Sequence, residues 1–272
     1  DAFPFDGVPT PQRRLPSDGS RKIGGYWSRA ALIEKPPPSS SILEKLTVPD
    51  DVPMPLTPRD YRTVDDCVAA LADGLLARGR PQQFLYCSIL VPHPPYNSNA
   101  TYMAQVDASL VEPPAWGAVD KVHPADRHMI ISKGEDGIDS VSDTVIDHFR
   151  HVYYSRCAAA DALIGQILTQ FERSGDVENT YVVFISDHGE SATEHRMTGK
   201  NSMYEASARV PMIIAGPGIV PRTMIHSVAS LFDIYPTVLD MAGLSARAPA
   251  KLPGSSVLPL AQGRAAPGRK DY

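Results

Sequence analysis

The sequence predicts an α/β protein: a three-layer sandwich built on a mostly parallel central sheet. Two observations lead there. The first is a set of short, dense apolar runs, "QFLYCSILV" near 82–91, "TYVVFI" before Ser186 and "VPMIIAG" from Val210. They show no polar alternation, as expected of strands covered on both faces. The second is that these runs alternate with stretches whose apolar residues recur at helical spacing, the strand–helix–strand order of an α/β fold.

Composition narrows the class. The chain has 272 residues, 43% hydrophobic and 21% charged, enough for a sizeable core in one large domain or two small ones. A net charge of -5 gives no basic footprint, so no nucleic-acid partner is expected. No apolar run reaches the ~18 residues of a membrane span. The cysteines, Cys67, Cys87 and Cys157, follow neither a CxxC nor a zinc spacing. Cys87 lies inside an apolar run and reads as core. Three is an odd number, and the compartment stays open.

In chain order, residues 1–60 form a Pro-rich irregular segment of the domain, because proline interrupts helix interiors and central strands. Thr63 and Asp66 then suggest a capped start to a helix with Val64, Val68, Leu71 and Leu75 on one face, ended by Gly79. After the first strand comes a long excursion over 92–139. Val145, Phe149, Val152, Tyr153, Cys157, Ala160 and Ile164 predict a second helix over roughly 141–173. Two strands follow, over 180–186 and through "VPMIIAG". "LFDIYPTVLDMAG" reads as a helix with Gly243 at its end. Residues 61–260 thus form the body of the domain and 261–272 a tail.

Ligands in open α/β sheets bind beyond the carboxyl ends of strands. Two strand ends here carry polar groups that a core would reject: His93 after Val91, and Asp187 with His188 after Ile185. Gly189 is expected to let the backbone turn sharply. An adjacent carboxylate and imidazole can serve a hard divalent cation, although the pair equally suits a capping aspartate beside a surface histidine. Lys200 offers a point charge for phosphate or sulfate oxygens, or is a solvated surface lysine. His195, beside Glu194, is a candidate substrate contact or a surface-loop residue. Glu205 and Arg209 read as partners that orient the loop of Lys200. His123 and Trp116 lie in the excursion, where sugar contacts are possible. Asn99-Ala100-Thr101 is an N-glycosylation sequon in a predicted loop.

"TYVVFISDHGE", "GKNSMYEASARVPMIIAGPGI" and "VASLFDIYPTVLDMAGL", in that order and after "PHP", resemble the sulfatase family of the alkaline-phosphatase superfamily, and within it the arylsulfatase K branch. The resemblance spans about 60–260. It implies a sulfuric ester hydrolase cleaving sulfate monoesters of glycans or aryl compounds. It further implies Ca2+ held partly by Asp187 and His188, with His93 near the leaving oxygen and Lys200 bridging sulfate and leaving group. Because a sulfate ester expels its alkoxide badly, charge must be neutralised where it develops. The family's formylglycine nucleophile arises in a C/S-x-P-x-R motif that this sequence lacks. That motif, and the acids of the first strand, are therefore expected upstream of Asp1, the family's small C-terminal subdomain is expected to be missing after about 260, and this chain alone is expected to be inactive. A phosphate or phosphonate monoester hydrolase, or a non-catalytic glycan-binding relative, are the alternatives. The family and the sequon imply a lysosomal or secreted protein.

Overall fold

A computed structural model describes residues 42–53, 55–76, 79, 81–117, 121–174, 177–249 and 251–266, all within one compact unit, Ser39–Tyr272. The Pro-rich segment before residue 42 and the last six residues of the tail lie outside the described residues.

The elements run α1 (Ile42–Leu46), α2 (Pro58–Ala72), α3 (Ala100–Met103), α4 (Pro124–Ser132), α5 (Asp143–Arg173), β1 (Val182–Ile185), α6 (Glu205–Ala208), β2 (Met212–Ala215), α7 (Ile234–Met241) and α8 (Leu258–Ala261). The spine is α5, 31 residues long. Its buried face includes Ile146, Phe149, Val152, Ala159 and Leu163, and also two arginines, Arg150 and Arg156. The first half of that face joins Ile42, Leu46 and Ile138 in one apolar cluster. The second half joins Leu56, Val64 and Val91 in another, beneath α2.

Helix α2 begins earlier than its pattern suggests. Thr57 is the N-cap, Pro58 occupies the first turn, and Thr57 and Asp60 form a reciprocal capping box. Proline favours that position because its missing N–H would be unpaired there anyway. The helix stops at Asp73, before the expected Gly79. Asp60 is 1% exposed and its Oδ1 also accepts from the N–H groups of Leu90 and Val91, at 2.6 and 3.2 Å. A second tie, the Cys67–Cys87 disulfide, joins α2 to the same segment. Cys87 is therefore a cross-link and not simply core; Cys157 is a free thiol.

The strands differ most from expectation. Among the described residues the sheet has two strands, β1 and β2, and they run antiparallel with Phe184 opposite Ile213. Segment 82–91 forms no strand. The apolar runs are also less covered than two-sided burial requires, with Phe184 37% and Ile213 59% exposed. A parallel strand needs a hydrogen-bonded neighbour and a layer on each face. Neither surrounds 82–91 among these residues.

Candidate active site

Strand β1 ends at Ile185 and the chain delivers Asp187 and His188 directly into solvent-facing loop. His188 Nε2 lies 3.5 Å from Asp187 Oδ2, with the aspartate side chain 85% exposed. The other imidazole nitrogen, Nδ1, sits 2.9 Å from the Gly189 carbonyl and so carries the proton it donates. The Nε2 lone pair thus faces a carboxylate oxygen. That donor set fits part of a divalent site: one oxygen and one nitrogen, against the six to eight oxygens that calcium usually gathers. Among the described residues no group of three His, Cys, Asp or Glu side chains is placed to hold a metal ion.

Gly189 is required by close approach more than by a turn. A Cβ there would stand 2.1 Å from the Ala206 carbonyl oxygen, and the Gly189 N–H donates to Ser207 O at 2.8 Å. The turn is thereby docked against α6.

His93 is exposed, and its Nδ1 lies 2.8 Å from the Pro94 carbonyl. Cis peptides at Val91–Pro92 and Pro94–Pro95 flank it. The loop is pinned from below by Arg156, 1% exposed, whose guanidinium donates to the carbonyls of Pro55, Pro92, His93 and Asn97 and to Asn97 Oδ1. Lys200 is half-buried on the loop after β1.

Glu190 ties these loops together. Its carboxylate accepts from the N–H groups of Ala192 and Gly199, the latter next to Lys200. It also lies beside Tyr96, three residues beyond His93; burial first, and then the Glu190 charge, hold that phenol far above its ordinary value. One carboxylate therefore links the loop of His93, the turn of Asp187 and His188, and the loop of Lys200. The sequence placed Glu190 inside its key motif, but nothing local showed that Tyr96 and Gly199 would meet it.

The segment that follows is backbone-strained. Ala192, Thr193, His195, Arg196 and Asn201 all have positive φ, which costs on the order of 1–3 kcal/mol each and persists only where surroundings enforce it. Arg150 donates to Ala192 O at 2.7 Å, and Arg196 to Asp139 Oδ1 and Gly117 O. His195 is exposed and stacks on Tyr204 with ring centroids 3.6 Å apart, while the Tyr204 hydroxyl donates to Asp126 at 2.7 Å.

Other expected residues have structural work. Glu205 and Arg209 pair with each other at 3.5 Å across α6, both 81% exposed. Such a pair is solvent-screened and contributes little; it does not orient Lys200. His123 caps α4, accepting from Ala125 N–H. Trp116 donates to Asp139 and packs under the Arg196 guanidinium. Asn99 caps α3 through Oδ1 and is half-buried.

The family model described as Sulfatase matches residues 22–244, most of the chain. The chain belongs to the sulfatase family. Among curated relatives, arylsulfatase K of Rattus norvegicus is 32% identical over 80% of this chain and 40% of its own length, and that of Homo sapiens 34% identical over 74% and 39%. The chain thus spans about two fifths of the length of the relatives it matches. Among solved structures, the phosphonate monoester hydrolase SpPMH from Silicibacter pomeroyi superposes with a TM-score of 0.64 at 24% identity, covering 79% of this chain and 43% of its own. BT1596, a 2-O GAG sulfatase, gives 0.60 at 21%, covering 82% and 51%. These likenesses establish the alkaline-phosphatase/sulfatase fold that the motifs implied. No helix among the described residues is long and apolar enough to cross a membrane.

Proposed function

We propose that the protein carrying this chain is a metal-dependent sulfuric ester hydrolase acting on sulfate monoesters of glycans or aryl compounds, with calcium as its cation. The observation that carries the reading is Glu190, one buried-side carboxylate joining the loops of His93, of Asp187 with His188, and of Lys200. A fold can be shared without function, but cationic, metal-ligating and proton-exchanging groups on loops tied by one residue suit charge neutralisation at a leaving anion.

Asp187 Oδ2 and His188 Nε2 would hold the cation, which, when bound, offers Lewis-acid stabilisation of sulfate oxygens. The Lys200 ammonium neutralises charge on sulfate and on the departing oxygen. His93 Nε2 holds a proton for that oxygen, with Nδ1 anchored on Pro94 O. The exposed His195–Tyr204 stack offers a flat surface to the non-reacting part of the substrate. The formylglycine nucleophile comes from outside these residues, so the chain alone turns nothing over.

The Cys67–Cys87 disulfide supports a secretory route, lysosomal or extracellular, since such bonds persist in oxidising compartments. Asn99 is the acceptor for a glycan on that route, its Oδ1 remaining the cap of α3.

The complete gene product, tested with calcium on a chromogenic aryl sulfate, a sulfated glycan and a phosphonate monoester, should turn over the sulfates preferentially. Phosphonate preference would move the protein to the superfamily's phosphoryl side. Binding of sulfated glycan without turnover would make it a lectin-like relative.

A further inference from the structure

The main chain beneath Lys200 is bonded at nearly every polar group, by two side chains far away in sequence and by the turn of Glu190 and Ser191. Lys133 Nζ donates to the carbonyls of Thr198 at 2.7 Å and of Lys200 itself at 2.8 Å. Glu135, 1% exposed, accepts from the Thr198 N–H at 3.2 Å and from the Thr198 hydroxyl. Glu190 takes the Gly199 N–H, and the Gly199 carbonyl accepts from Ser191 N–H at 2.7 Å. Lys133 and Glu135 both sit in the turn that closes α4, and Lys45 donates to the Lys133 carbonyl, fixing the backbone from which the ammonium reaches out.

We propose that Lys133 is a positioning residue for Lys200, holding with Glu135 and Glu190 the backbone of Thr198–Lys200 so that the Lys200 ammonium meets an anionic substrate group in one place. The identity of that group rests on the sulfatase reading; the cradle itself does not.

Three features separate this from ordinary loop packing. First, the contacts made by Lys133, Glu135 and Glu190 are charge-assisted and carry about twice the strength of neutral hydrogen bonds. Second, the segment they hold cannot relax into a common loop conformation, because Gly199 and Asn201 on either side of Lys200 both have φ near +80°, at +74° and +82°. Third, the cradle places a charge where burial opposes it. Burial pulls the Lys133 ammonium down, with the Glu135 and Glu190 carboxylates opposing that pull, and burial pushes Glu135 up. A loop with only a connecting role could be closed with neutral groups. Holding a catalytic cation against small displacements is where such rigidity matters, since an offset of about 1 Å can cost ~100-fold in rate.

Two measurements on the same variants test it. Amide hydrogen exchange on the complete protein reads the cradle without any substrate. Lys133→Met should accelerate exchange at 198–201 by about tenfold or more while α5 stays protected, and Lys133→Arg, which keeps two donors, should restore protection. In the complete protein, Lys133→Met should lower kcat for an aryl sulfate by about tenfold with KM within about twofold, and Lys133→Arg should recover most of it. If Lys133→Met does not fold, Thr198→Val, which removes the hydroxyl donor to Glu135, should show both effects in milder form. Unchanged exchange at 198–201 in the folded variant overturns the proposal, as does a lost kcat that Lys133→Arg fails to recover while α5 exchange also rises. If the wild-type protein hydrolyses no sulfate ester, the functional reading fails, and the exchange result alone decides for or against the cradle.

Discussion

Asp187 and Lys200 carry opposite charges on neighbouring loops, and removing each should fail in a different way. Asp187→Asn takes away the carboxylate that faces His188 Nε2, so the complete protein should lose bound metal and activity together. Lys200→Ala should lower turnover while metal content holds, because the role proposed for the lysine is toward the anion and not the cation. His195→Ala should leave most of the rate, since the imidazole is exposed and bonded to neither loop anchor. Metal analysis beside steady-state kinetics separates the three. Asp187, His188 and His93 were legible as candidates because an apolar run that ends in charge is a local signal, and Lys200 because of the motif around it. Glu190, Arg156 and Lys133 were not. Arg156 reads as one more charge on a helix until its carbonyl partners 59 to 101 residues away close around it, and Lys133 bonds across 65 and 67 residues.

Among the elements, the turn after β1 and the start of α2 are the places where one substitution should cost most. Gly189→Ala would drive a methyl into the Ala206 carbonyl. It should cost about 1–3 kcal/mol, the usual penalty of overpacking, read as a lowered thermal midpoint. Asp60→Ala removes a capping box and strands the N–H donors of Leu90 and of buried Val91, at roughly 1–3 kcal/mol for unsatisfied donors. The same residue sets an acid limit. Burial opposes its ionisation, but hydrogen bonds from Thr57, Leu90 and Val91 outweigh that and hold the carboxyl below its ordinary value. Its contribution is therefore complete above the unfolded carboxylate value and lost as pH falls through the folded one. In Asp60→Asn that part of the acid-induced loss should flatten, as denaturant melts across the acid range would show. Helix α5 was legible because 31 residues of one periodicity outvote local exceptions. The start of α2 was not, because Pro58 reads as a breaker away from its N-terminal context. Strand direction was not legible either: density of apolar residues reports burial and carries no sign of which way a neighbour runs.

At the scale of the molecule, the chain belongs to the sulfatase family yet spans about two fifths of the length of the arylsulfatase K relatives. Family membership was readable from the order of motifs, because each motif ends a structural element and their order is the order of the fold. The substrate was not, because the groups that stand out in the sequence suit an anion and do not distinguish one attached alcohol from another. This chain alone should show no sulfate ester hydrolysis above a Lys200→Ala control, since no C/S-x-P-x-R nucleophile motif occurs in it. The central claim is that Asp187, His188, His93 and Lys200 serve one hydrolytic site. Its most direct measurement is calcium-dependent hydrolysis of a chromogenic aryl sulfate by the complete protein, wild type against Asp187→Asn, with bound metal counted in both. The account predicts turnover in the wild type, and loss of both metal and turnover in the variant. An Asp187→Asn protein that keeps its metal and its rate would contradict it.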